Sequence, residues 1–246
     1  MKRVAINQSN YIPWKGYFDI IHDVDLFIFY DDVQYTKNDW RNRNQVKTPA
    51  GLQWLTIPTG SDLRRRICDV SIESAAWQRK HWQTLMQLYR RAPFFGDYSP
   101  SFAAVYGEHE WRNLSELNQF LIRKIAHDFL GIQTPMRQSS DFTSSGRSQD
   151  RLLSLLKAVQ ADLYVSGPAG KAYIEEERFR EAGIEIIWKD YSGYPEYSQF
   201  HPPFQHAVTI LDLLFHTGPR APFYIWGWRD DQAPVNAASE GGRSRA

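Results

Sequence analysis

Apolar and polar positions along the chain fall into two alternating periodicities. Residues 2–6 are a short apolar run that breaks into the polar Asn7-Gln8-Ser9-Asn10, the signature of a buried first strand. Residues 13–22 read as a helix with a proline in its first turn. Residues 25–30, Asp-Leu-Phe-Ile-Phe-Tyr, form a second apolar and aromatic strand, with Asp31 and Asp32 at its C-terminal end. The stretch 34–50 is polar and irregular. Residues 53–58 and 67–72 carry β patterns that predict pairing with each other. Helical stripes run over 77–90 and 114–130, the second stopped by Gly131. A short strand is expected at 134–137 and an amphipathic helix at 149–159. The strand 162–166, the Gly167-Pro168-Ala169-Gly170 turn, a helix over 171–182 and the strand 184–188 complete a second unit like the first. A last short helix is expected at 208–215.

Strand, loop, helix and strand occurring twice predict an α/β fold: a Rossmann-like parallel sheet with helical and β insertions at about 34–130. The economical reading is one α/β domain over 1–227. Residues 228–246 turn to Asp, Gly, Ser, Ala and Arg and read as a disordered tail.

Composition narrows the function. The chain has 246 residues, with 29 Lys plus Arg against 28 Asp plus Glu, a net charge of +1. So even a balance argues against a broad electrostatic grip on nucleic acid. No apolar run approaches the ~20 residues of a membrane helix, and the N-terminus lacks the apolar stretch of a secretion signal. A lone cysteine, Cys68, excludes an internal disulfide and fits a reducing cytoplasm. Its place in an expected strand makes it inert. The seven histidines show no metal-ligand spacing, and no cofactor is assigned. The departure from average is aromatic content, 15% with 9 Trp. Many of these aromatics sit among polar residues, where they can wall a ligand pocket.

In open parallel sheets, ligands bind at the C-terminal ends of the strands near the point where strand order reverses. Three segments fall there. Residues 7–17 offer the amides Gln8 and Asn10, the aromatics Tyr11 and Trp14, and a helix N-terminus that favours anions. Asp31 and Asp32, followed by Gln34, supply a metal pair, a ribose clamp, a general base or a turn cap; adjacent positions point to opposite sides, so one of the two faces the pocket. Ser166-Gly167-Pro168-Ala169-Gly170 lacks the ending of a Walker loop but lets backbone N–H groups approach an anion. Between them, Trp40-Arg41-Asn42-Arg43-Asn44 alternates arginine with asparagine. If extended, it puts Arg41 and Arg43 on one face, suited to a diphosphate, and Asn42 and Asn44 on the other. Among the histidines, His81 is the best acid/base candidate.

These segments, in this order, resemble the WbqC-like family of bacterial proteins. The carrying stretches are Gln8-Ser9-Asn10-Tyr11-Ile12-Pro13-Trp14-Lys15-Gly16-Tyr17-Phe18, Asp31-Asp32-Val33-Gln34-Tyr35, Trp40-Arg41-Asn42-Arg43-Asn44, Trp54-Leu55-Thr56-Ile57-Pro58, Tyr164-Val165-Ser166-Gly167 and Tyr197-Ser198-Gln199. Ser9 stands where the family commonly has proline. The resemblance implies a setting in O-antigen and other surface-polysaccharide biosynthesis and a glycine-type (aminoacyl) transferase. It points at Gln8, Asn10, Tyr11, Trp14, Asp31, Asp32, Gln34, Trp40, Asn42, Arg43, Asn44 and Ser166. The opening is also similar to that of HUP-type nucleotidyltransferases, although Trp14 and Tyr17 stand where those enzymes carry histidines.

The expected protein is thus a cytoplasmic transferase that moves an acyl or aminoacyl group to a sugar or nucleotide-sugar. Aromatics stack on the ligand, Arg41 or Arg43 holds phosphates, and Asp31, Asp32 or His81 removes a proton. The alternatives are a metal-using nucleotidyltransferase and a non-catalytic binding module. The enzymatic reading requires Trp14, Asp32 and Arg43 to face one hollow.

Overall fold

A computed structural model describes residues 1–231. Five parallel strands form the central sheet: β1 (Arg3–Asn7), β2 (Leu26–Phe29), β5 (Met136–Gln138), β6 (Leu163–Ser166) and β7 (Glu185–Trp188), in the order β5-β2-β1-β6-β7. The register pairs Val4 with Leu26 and with Tyr164, so β1 lies at the centre. Side chains alternate across its pleat. Val4, Ile6, Leu26 and Ile28 face one layer, where α5 (Ser148–Ala158) and α6 (Glu176–Glu181) bury Leu155, Leu156 and Phe179. Ala5, Phe27 and Phe29 face the other, packed against Phe18 and Ile21 of α1 (Lys15–His22) and Leu117 and Leu121 of α4 (Leu114–Lys124). With both faces covered, the central strands carry unbroken apolar stretches, Val4–Ile6, Leu26–Phe29 and Leu163–Val165, as a parallel sheet requires. The expected Rossmann-like architecture is present, and both strand–helix–strand units form it.

Counting only sheet strands, the chain visits positions in the order 3-2-1-4-5 of a doubly wound fold. It steps one way from β1 to β2 and β5, then crosses to β6 and steps the other way to β7. The reversal between β1 and β6 leaves a crevice beyond their C-terminal ends. Residues between β2 and β5 carry the insertions: the hairpin β3 (Arg43–Thr48) and β4 (Gly51–Thr56), then α2 (Ala76–Tyr89), α3 (Phe95–Gly107) and α4. Helix α7 (Ile210–Thr217) returns beneath them.

Several sequence expectations are corrected. The partner of the 53–58 pattern is β3, not 67–72, with Val46 opposite Gln53. Residues 67–69 are a single 3₁₀ turn. Polar β3 escapes a hydrophobicity reading because its inward positions include Asn44, which bonds to backbone. Helix α3 is unannounced because Pro100 and two glycines lie in or at its ends. The 114–130 helix is regular only to Lys124 and closes with a π turn, Ile125–Phe129, before Gly131. The helix expected over 171–182 is a 3₁₀ segment, Pro168–Ala172, followed by the short α6. Of the expected tail, Trp228–Asp231 is one helical turn, and the remainder lies outside the described residues.

Gly170 is required by close approach. A Cβ there would lie 2.8 Å from Ser166 Oγ and 2.8 Å from the Trp188 ring. Gly170→Ala is therefore expected to cost about 1–3 kcal/mol by overpacking, read as a lowered urea midpoint. An unchanged midpoint would mean the turn relaxes freely.

Candidate functional site

The crevice at the strand reversal is a cleft of about 540 Å³. Asn7, Gln8 and Asn10 enter it from the end of β1, Gly167 and Tyr173 from the end of β6, and Tyr30 and Val33 from the end of β2. Ser148 and Leu152 of α5, Trp14 and Tyr17 at α1, Tyr191 beyond β7, and Arg41 complete the wall. Arg41 is the one lysine or arginine among the residues lining it. One guanidinium nitrogen, Nη1, sits 2.7 Å from Asp39 Oδ2, and Nε is buried with no partner. Gln8 Oε1 and Asn10 Oδ1 are likewise buried and unpartnered. Buried polar atoms are ordinarily paired; three of the unpartnered ones stand on residues that line this one cleft. Burial holds the phenols of Tyr17, Tyr30 and Tyr191 above their ordinary range, so they are neutral.

The loop from Gln8 to Trp14 is held by side chains that look catalytic in sequence. Ser9 N–H donates to Asp31 Oδ1 at 2.8 Å, and Ser115 Oγ and Gln119 Nε2 donate to Oδ2. Asn44 Nδ2 donates to the carbonyls of Tyr11 (3.0 Å) and Ile12 (2.8 Å), while its oxygen accepts from Gln45 N–H. Ile12 has φ of 36°, a strained position for a β-branched residue, and the Asn44 clamp holds it there. Asn118 Nδ2 donates to Arg41 O at 2.8 Å, and Tyr11 N–H to Trp40 O at 2.9 Å. Beyond the loop, the Trp14 indole folds over the first turn of α1. A Cβ on Gly16 would stand 2.3 Å from that ring.

The expected site residues therefore divide. Gln8, Asn10, Trp14 and Arg41 line the cleft; Trp40 and Asn44 line a smaller hollow beside it. Asp31 is buried and fully committed to the loop and α4, which removes it as a free base. Asp32 accepts from Ser139 Oγ at 2.5 Å and pairs with Arg151, whose guanidinium lies over the Tyr30 ring. It backs a wall residue and does not line the cleft. His81 is core: its Nδ1 meets Tyr11 OH at 2.9 Å, and that hydroxyl meets Tyr106 OH at 2.6 Å. Tyr11 is buried with it. Arg41 and Arg43 do share the outer face and Asn42 and Asn44 the inner. The two guanidinium groups nevertheless diverge, because Arg43 stacks on Trp54 at 4.0 Å. Asn42 donates to Ile57 O. Gln34 is exposed and bridges to Arg66, and Ser166 is buried under the Gly170 turn. The expected convergence of Trp14, Asp32 and Arg43 does not occur; only Trp14 faces the cleft. The enzymatic reading built on those three residues therefore fails, and a transfer reading has to rest on Arg41 and the other polar residues of the cleft. Ser148, Leu152 and Tyr191 also line the cleft, and nothing in the sequence marks them, since they are ordinary residues there. Ser148 has φ of 51°, a strain that only the structure reveals.

The description WbqC-like protein family matches residues 8–223 of the chain. A protein from Mycobacterium tuberculosis (strain ATCC 25618 / H37Rv), described as Uncharacterized protein Rv1507c, is 45% identical over 227 residues, covering 92% of this chain and 98% of the relative. No solved structure matches.

Two outcomes are expected. Burial lowers His81 from 6.5 to about 4. Above pH 6.5 both folded and unfolded states hold it neutral. As pH falls toward 4 only the unfolded state takes the proton, so stability drops by roughly 1.4 kcal/mol per pH unit. Between pH 7 and 5 the parent should lose about 2 kcal/mol more in urea denaturation than His81→Asn; equal losses would refute the buried neutral ring. Asn44→Ala should cost about 2–4 kcal/mol, and Asn44→Asp at least as much, since it turns a carboxylate on two carbonyls. A stable aspartate variant would dismiss the clamp.

Proposed function

The chain belongs to the WbqC-like protein family, and we propose that its cleft binds a nucleotide-linked sugar and presents it for acyl or aminoacyl transfer in surface-polysaccharide assembly. The supporting observation is the cleft's place and lining: a strand-order reversal walled by Trp14, Tyr30, Tyr173 and Tyr191, with two free amides and Arg41. Aromatic rings offer faces for a base or sugar. Amides match hydroxyls and ring nitrogens, and a guanidinium matches a phosphate.

With Asp31 and Asp32 committed to internal partners, catalysis in this reading rests on positioning and on neutral hydrogen-bond donors. An amine on the sugar suits such a site. Its nitrogen bonds to the acyl carbon, the bond to the leaving group breaks, and the amine proton leaves with that group or to solvent. The metal-using nucleotidyltransferase reading loses the carboxylates it relied on.

The test is a calorimetric and thermal-shift screen of nucleotide diphosphate sugars against their free sugars and nucleosides. A ligand that binds the native state raises the melting temperature. Arg41→Ala should weaken nucleotide-sugar binding at least about tenfold, the scale of one charge-assisted bond. Arg43→Ala should leave it nearly unchanged. Equal losses in the two variants, or no nucleotide-sugar binding at all, would overturn the reading.

A further inference from the structure

Beside the main cleft lies a second hollow of about 280 Å³, lined by Asn10, Pro13, Trp14, Trp40, Asn44 and Ala207. Asn10 and Trp14 belong to both spaces, so they form a partition between two lobes. The walls are fixed by backbone bonds. Tyr11 N–H donates to Trp40 O, Thr209 N–H to Gln45 O and Ile210 N–H to Pro13 O, at 2.9–3.0 Å.

The chemistry of the two lobes differs. No lysine, arginine or carboxylate is among the residues lining the small lobe. Asn44 has both amide hydrogens and its oxygen engaged within the protein. What remains is two indoles with their N–H groups, a proline ring, an alanine methyl and the Asn10 amide, whose Oδ1 is buried and unpartnered. A phosphate or carboxylate would lose its hydration there with only neutral N–H donors, and no cation, to offset the loss. A neutral apolar group would gain by burial, and one N–H or O–H on it would satisfy Asn10.

We propose that this lobe is a subsite for a neutral, mostly apolar group carrying one hydrogen-bond donor, such as an aryl or branched acyl amide, held across the Asn10–Trp14 partition from the main cleft. The assignment rests on the two-lobed geometry and stands apart from the nucleotide-sugar reading. That group is either the far end of the ligand in the main cleft or part of a separate molecule.

The probes are benzamide and benzoate, equal in shape and different in charge. They are titrated into the full chain while the indole N–H signals of Trp14 and Trp40 are followed by NMR. Benzamide should shift both signals and bind at least about tenfold more tightly than benzoate. Ala207 is exposed at the rim, so Ala207→Trp can plug the lobe without crowding the core. That variant should keep the parent circular dichroism spectrum and lose benzamide affinity at least about tenfold. Benzoate binding as tightly as benzamide, or benzamide binding that ignores Ala207→Trp, would overturn the subsite. Joint binding of benzamide and a nucleotide sugar supports it with a second molecule as the source, and mutual displacement supports it with the far end of one ligand. Benzamide binding without any nucleotide-sugar binding would refute the proposed function and leave the subsite standing.

Discussion

A buried irregular loop must find a partner for every backbone polar group it carries, because each one left unpaired costs as much as a lost hydrogen bond. The segment from Gln8 to Trp14 is such a loop, lying at the end of the central strand with Ser9, Tyr11, Ile12 and Pro13 all buried. Asp31, Asn44 and Asn118 meet that demand from three directions, at Ser9 N–H, at the Tyr11 and Ile12 carbonyls and at Ser9 O. Each comes from a different element, so the loop ties β2, the hairpin and α4 to β1. The polar groups the loop does not spend on itself, the ends of Gln8 and Asn10, are what the cleft has to offer.

The same constraint explains why the carboxylates are unavailable. Asp31 accepts from three groups, and Asp32 is balanced by Arg151. A buried carboxylate is stable only when hydrogen-bonded or ion-paired, and the partners of both are internal to the fold. Arg41 is the exception. Asp39 takes one edge of its guanidinium, and the buried Nε stays unpartnered on a residue that lines the cleft. The lobes inherit different chemistry from this: one holds a cation and free amides, the other two indoles and a saturated amide.

Aromatic residues divide by the same logic. Tyr11, Tyr35 and Tyr89 are packing, their hydroxyls satisfied inside. Trp14 sits at the border: it meets Tyr191 edge-on at 4.9 Å, lies on the first turn of α1 because Gly16 has no side chain, and separates the lobes.

The sequence by itself determined the strands at 2–6, 25–30, 162–166 and 184–188, because each holds an apolar stretch of three or more residues, longest where the strand is buried on two sides. It also placed the polar run after β1 at the C-terminal end of a parallel strand, because the apolar pattern stops there. The resemblance of its motifs fixed the family. Only the tertiary structure decided which motif residues reach the cleft. Asp31 and Asn44 have the same side chains whether they bond a ligand or a neighbouring backbone, and the choice depends on partners 22 to 88 positions away. The polar hairpin strand β3, the separation of Arg41 from Arg43 and the second lobe were likewise settled by long-range packing, which local sequence does not encode.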